Sequence, residues 1–119
     1  MAHSIDDVLV TSVRSITSGE PGRSLNEARH HHFVIDDSGV AEEITPGESF
    51  LAGISGCGVL LIERRAKDTG VPLRRAEAWI DGSRLRSDTS RFSRIDMRFR
   101  LSGVTQEQAE VLVGHYRER

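Results

Sequence analysis

Residues 45 to 72 constrain the fold most, because they spell a helix whose two ends are both fixed by local chemistry. Thr45-Pro46-Gly47-Glu48 places a hydroxyl at the N-cap, a proline at the first helical position and a carboxylate at the third. At the far end Lys67 suits the negative pole of the helix dipole, and Gly70 stands where a left-handed cap is needed before Val71-Pro72. A helix is thus expected over about 46–69. Phe50, Ile54, Cys57 and Leu61 recur at 4-3-4 spacing, with Leu51, Val59 and Ile62 widening the apolar surface, so its first half is expected to be buried almost all round. After Ile62 the run Glu63-Arg64-Arg65-Ala66-Lys67-Asp68 belongs at a solvated surface.

Strand patterns flank this helix on both sides. Val8 to Ile16 is rich in β-branched residues and stops at Ser18-Gly19-Glu20-Pro21-Gly22. Leu25 to Ile35, read as one extended segment, puts Leu25, Glu27, Arg29, His31, Phe33 and Ile35 on one face and Ala28, His30, His32 and Val34 on the other. Together they form a hairpin over about 7–36, followed by an acidic loop from Asp36-Asp37-Ser38-Gly39. Beyond the helix, Leu73 to Ile80 alternates and breaks at Asp81-Gly82. Ile95, Met97, Phe99 and Leu101 then interleave with Arg94, Asp96, Arg98 and Arg100, the mark of an antiparallel strand with one wet face. Thr105-Gln106-Glu107-Gln108 repeats the capping logic ahead of a last helix with Ala109, Leu112, Val113 and Tyr116 in one stripe. Paired strands separated by helices give an α+β class with antiparallel sheets and a long central helix, in a single domain over 1–119.

Composition narrows the function classes. With 37% hydrophobic residues and only one Trp, one Tyr and four Phe in 119 residues, the core is modest and association would help. Sixteen basic against 18 acidic residues, and a pI near 6.2, provide no global positive charge for nucleic acid. The arginines at 84, 86, 91, 94, 98 and 100 read as a solvated sheet face diluted by Asp88 and Asp96. No stretch approaches the ~20 apolar residues of a membrane span, and the first residues lack the pattern of a secretory signal. A soluble, cytoplasmic protein with no membrane partner is the expectation.

Cys57 is the only cysteine, so no intramolecular disulfide can form. It sits among Gly53, Gly56 and Gly58, each of which costs a helix ~1 kcal/mol relative to alanine. Close approach of another backbone, or access of a substrate to sulfur, would justify them. A lone cysteine on an apolar stretch of helix is otherwise a small buried hydrophobe.

The segment from Arg29 to Cys57 runs Arg-His-His-His-Phe-Val-Ile-Asp, an acidic loop, then Thr-Pro-Gly-Glu-Ser-Phe-Leu-Ala-Gly-Ile-Ser-Gly-Cys. It resembles the osmotically inducible protein C and organic hydroperoxide resistance (OsmC/Ohr-like) family, and the order of later elements agrees nearly to the end of the chain. The resemblance implies an intertwined homodimer with its active site at the subunit interface. It also implies a thiol-dependent peroxidase for organic hydroperoxides, serving oxidative stress defence. Two positions depart from the family pattern. Gly47 stands where a glutamate follows the helix-starting proline, which moves the carboxylate to Glu48, and the family's late Cys-Pro, which carries the resolving cysteine, is absent from these residues.

Carried onto this sequence, the resemblance makes Cys57 the nucleophile, Arg29 the cation beside it and Glu48 the orienting carboxylate, with Glu27 or Asp36 as substitutes. Peroxide reduction needs a thiolate and a polarised O–O bond, and a guanidinium serves both. Plainer roles stand beside these: Arg29 as a solvent-facing strand charge, Glu48 as a helix cap. With one cysteine, an external thiol or a redoxin would reduce the oxidised sulfur. No cofactor and no metal are expected. His30 and His32, about 6.6 Å apart on one face of an extended strand, lack a third ligand. The alternative on the same scaffold is a ligand- or sulfur-binding module without peroxidase turnover.

Overall fold

The computed structural model describes residues 7–117. The described residues fall into two compact units, one running to Ser49 and the other starting at Phe50. In the first, β1 (Val13–Thr17), β2 (Arg23–Ala28) and β3 (His31–Asp36) form an antiparallel sheet in the order β1-β2-β3. The expected single strand over Leu25–Ile35 is in fact two. Ala28 pairs with His31 across a two-residue turn at Arg29 and His30, and Arg29 turns the chain with a left-handed φ of 57°. Alternation alone missed this turn because it lacks the glycine or asparagine that usually marks one. The first strand also starts late. Val13 pairs with Ala28, the last residue of β2, so Val8, Val10 and their neighbours have no partner on that strand and lie exposed outside it.

The turn fixes the register, and the register brings Arg23 of β2 opposite Asp36 of β3. Asp36 is fully buried. Its oxygens accept from Arg23 Nε at 2.8 Å and Nη2 at 2.9 Å in a fork, and Oδ2 also accepts the backbone N–H groups of Glu42 and Glu43. The acidic loop is therefore wound around this carboxylate. Asp37 adds an Asx turn onto Gly39 and Val40, and its N–H donates to the carbonyl of Gly22, where a Cβ would lie 2.6 Å from Val40. On the other sheet face buried Asn26 is satisfied by Ser15, Ser24 and the carbonyl of Phe33.

Helix α1 spans Pro46–Thr69 and starts as its sequence requires. Thr45 N–H donates to Glu48 at 2.9 Å while Glu48 N–H donates to the Thr45 hydroxyl at 3.3 Å, the reciprocal capping box. Its far end closes in a Schellman arrangement, with Val71 N–H on the Ala66 carbonyl, Gly70 N–H on that of Lys67, and Gly70 at φ 72°.

In the second unit α1 is joined by the antiparallel pair β4 (Arg75–Ser83) and β5 (Arg94–Ser102) and by α2 (Gln106–Arg117), which Thr105 and Gln108 cap reciprocally. The core is small: Ile62 and Ala66 of α1 and Leu112 of α2, packed by Val71, Leu73, Ala76, Phe99, Leu101, Val113 and Tyr116. β4 does not break at Asp81-Gly82 but continues to Ser83, because Gly82 takes the Phe92 ring where a Cβ would sit, 2.5 Å away. Nor is the first half of α1 buried all round. Gly58, Ile62 and Ala66 face the core, whereas Phe50 and Leu60 are 56% and 63% exposed and Cys57 is exposed with them. Periodicity finds the apolar surface but cannot say which chain covers it.

The Arg23 fork holds the Asp36 carboxyl down to about 2, below its ordinary 3.8. A carboxyl whose folded value is depressed contributes stability that is complete above its unfolded value and is lost as pH falls through the folded one. Urea midpoints measured between pH 5 and pH 2 are expected to drop for the wild type. Asp36→Asn is expected to be weaker at pH 5 and flatter over the same interval.

Candidate active site around Cys57

Cys57 lies in the middle of α1, more than two turns from either end, so neither helix pole acts on its sulfur. The next residue explains its position. At Gly58 a Cβ would lie 3.2 Å from the Tyr116 ring and 3.5 Å from Met97, so the ring of α2 packs directly on the bare backbone of α1. The Tyr116 hydroxyl reaches the Ile54 carbonyl at 3.5 Å and the Met97 sulfur at 3.8 Å, and its ring meets Phe99 edge-on at 5.7 Å. This contact holds the Gly58 side of the helix against the unit, which turns Cys57 outward, roughly 100° round the axis.

The outward side is apolar and open. Phe50, Gly53, Cys57 and Leu60 follow one another at 3-4-3 spacing along it, and a Cβ at Gly53 or Gly56 would meet nothing within 4 Å. Two turns before Cys57, Phe50 stacks on Phe92 at 6.0 Å between centroids with the rings 15° apart, and the Arg84 guanidinium caps Phe92 at 4.2 Å. Phe92 and Arg84 were missed as members of this surface by sequence reasoning. The glycine at 82, seen only as a strand breaker, was the available signal for a ring lying on β4.

Arg29 and Glu48 belong to the first unit. Arg29 is exposed in the β2–β3 turn, and its side chain has no ion pair among the described residues. A left-handed residue with a Cβ costs about 1–2 kcal/mol that glycine would avoid, so the arginine stands there against the local preference of the backbone. Glu48 has one oxygen on Thr45 N–H, and these bonds with Thr45 hold its carboxyl below the usual range, as an anion. Of the substitutes, Glu27 pairs with His32 at 3.1 Å and Asp36 is consumed by Arg23. His30 lies in the turn rather than beside His32 on one strand face. Among the described residues no group of three or more His, Cys, Asp or Glu is placed to hold a metal ion, and no helix is long and apolar enough to cross a membrane.

Comparison of the whole architecture with solved structures is decisive for the fold. The OsmC like protein of Mycoplasma pneumoniae matches with a TM-score of 0.76 over 93% of this chain and 82% of its own, at 12% identity. The fold is that of the OsmC/Ohr-like proteins. An organic hydroperoxide resistance protein OsmC of Legionella pneumophila aligns with a TM-score of 0.68 over 93% of this chain and 84% of its own, at 17% identity. The organic hydroperoxide resistance protein OhrB of Bacillus subtilis does so at 0.63, over 92% and 84%, at 18% identity. No family model matches the sequence, and no curated protein does. The OsmC/Ohr-like fold is therefore held at sequence identities where only the fold is shared.

The left-handed arginine gives a direct test. Arg29→Gly is expected to stabilise the protein by about 1 kcal/mol in urea titration while slowing any reaction of Cys57 that uses the guanidinium. A variant that is more stable and equally reactive would leave Arg29 as a surface charge.

Proposed function

We propose that this protein is a thiol-dependent peroxidase for organic hydroperoxides, acting as a homodimer with Cys57 as its nucleophile. The observation that carries the reading is the exposed thiol at the centre of an open apolar helix face on an OsmC/Ohr-like fold. An apolar surround suits a peroxide with an organic substituent better than hydrogen peroxide, whose burial beside Phe50 and Leu60 would leave hydroxyls unpaired.

In this reaction the Cys57 thiolate attacks the terminal peroxide oxygen. The S–O bond forms as the O–O bond breaks, and the alkoxide leaves and takes a proton to become an alcohol. Arg29 would stabilise the thiolate and the departing oxygen, and Glu48, charged and with one oxygen free of its cap, would orient the guanidinium. The sulfenic acid on Cys57 is then reduced by two equivalents of an external thiol or by a redoxin: the first thiol forms a mixed disulfide and releases water, and the second restores Cys57 and leaves as disulfide.

The homodimer is supported by the glycines. Gly58 is explained within the chain by Tyr116, whereas Gly53 and Gly56 are not, and both face open space beside exposed Phe50 and Leu60. A partner backbone packed against that side would account for both. One observation favours the non-peroxidase module instead: the Glu48 carboxylate is engaged by its own helix cap. Defence against oxidative stress follows from the first reading and not from the second.

Addition of one equivalent of cumene hydroperoxide is expected to consume the Cys57 thiol, give an adduct with a sulfenic-acid trap, and yield cumyl alcohol; dithiol should restore the thiol, and Cys57→Ser should do none of this. A thiol that survives excess peroxide would exclude the peroxidase. In sedimentation at micromolar concentration the wild type is expected to be a dimer and Gly53→Glu a folded monomer, since the new side chain has space in one chain alone.

A further inference from the structure

The second unit carries a cleft of about 360 Å³ where α1 ends and β4 begins, within the lower range of small-molecule sites. Of its α1 wall, Val59 and Glu63 lie roughly 120–160° round the helix from Cys57, while Leu60, roughly 60° away, borders both the cleft and the face that carries the thiol. Its floor is apolar, made by Val59 and Ala66 of α1, Val71 and Leu73 of the chain leaving it, and Ala76 of β4.

Its rim is charged and not balanced. Glu63, Lys67, Arg74 and Arg75 stand around the opening, and Arg75 is paired with Glu77 at 3.2 Å. Lys67 and Arg74 have no carboxylate partner among the described residues. The place of Arg74 is built rather than incidental. Its N–H donates to the Ser102 carbonyl at 2.9 Å, and Gly103, at φ 88°, comes so close that a Cβ there would lie 2.7 Å from the Pro72 carbonyl and 3.0 Å from Arg74 Cγ. Two of the C-terminal carbonyls of α1, those of Lys67 and Ala66, accept the N–H groups of Gly70 and Val71, which lessens the repulsion of an anion there.

We propose that this cleft binds an amphipathic carboxylate, its short aliphatic chain on Val71, Leu73 and Ala76 and its head group between Lys67 and Arg74. Two unmatched cations above an apolar floor complement one negative charge attached to a hydrocarbon. Glu63 on the same rim limits the site to a single charge and disfavours phosphate dianions.

Octanoate titrated into the full chain, followed by calorimetry and by amide shifts, is the test. Saturable binding is expected, with shifts at Leu73 and Ala76, and with acetate and octanol each weaker by roughly tenfold or more because each lacks one half of the recognition. Lys67→Gln with Arg74→Gln, both exposed side chains whose loss leaves the fold intact, should weaken octanoate by a similar factor and leave octanol unchanged. Equal affinity for octanoate and octanol would overturn the proposal. So would undiminished binding by the double variant, or a change in oligomeric state on that substitution without octanoate binding by the wild type.

Discussion

Helix α1 has apolar residues on two sides, and the second unit covers one. Among the described residues of α1, Gly58, Ile62 and Ala66 are buried, so burial on the Gly58 side decides how the helix is rotated. The exposure of Cys57 follows from that rotation. The thiol faces out, the two unexplained glycines face out with it, and Phe50 stacks on Phe92. A larger sheet, or a bulkier residue at 58, would have turned a different set of side chains to the surface.

The first unit depends on a different force. Among its described residues the fully buried carboxylate, Asp36, is held by a forked guanidinium and two backbone N–H groups. Breaking such a group of bonds by removing one partner leaves the others unsatisfied, which makes the loop from Asp36 to Ile44 a single cooperative feature. The Asp36 N–H donates in turn to the Ile44 carbonyl, which closes the loop directly before Thr45.

Much of this was legible in the sequence. Both helices, their capping boxes and the Gly70 terminator stand where residue chemistry put them, because caps are local and use the same few groups wherever they occur. β5 was legible for the same reason, as strict alternation leaves one register. Three things were not. The turn at Arg29 uses a residue that the left-handed region disfavours. The start of β1 is set by where its partner strand stops. The Arg23–Asp36 pair is thirteen residues apart in sequence and becomes visible only once that turn is placed. Of the candidate site, the resemblance pointed to Cys57, Arg29 and Glu48, while the Phe50–Phe92–Arg84 group depends on contacts between elements that no spacing rule reveals.

The contact between Tyr116 and the α1 backbone joins positions 62 residues apart. Its consequence lies in biosynthesis. A nascent chain can wind α1 as soon as Gly70 has emerged, but it cannot seat that helix on its sheet until the end of α2 has left the ribosome tunnel. The order of translation therefore holds the surroundings of Cys57 unformed until the last turn of α2 has been made.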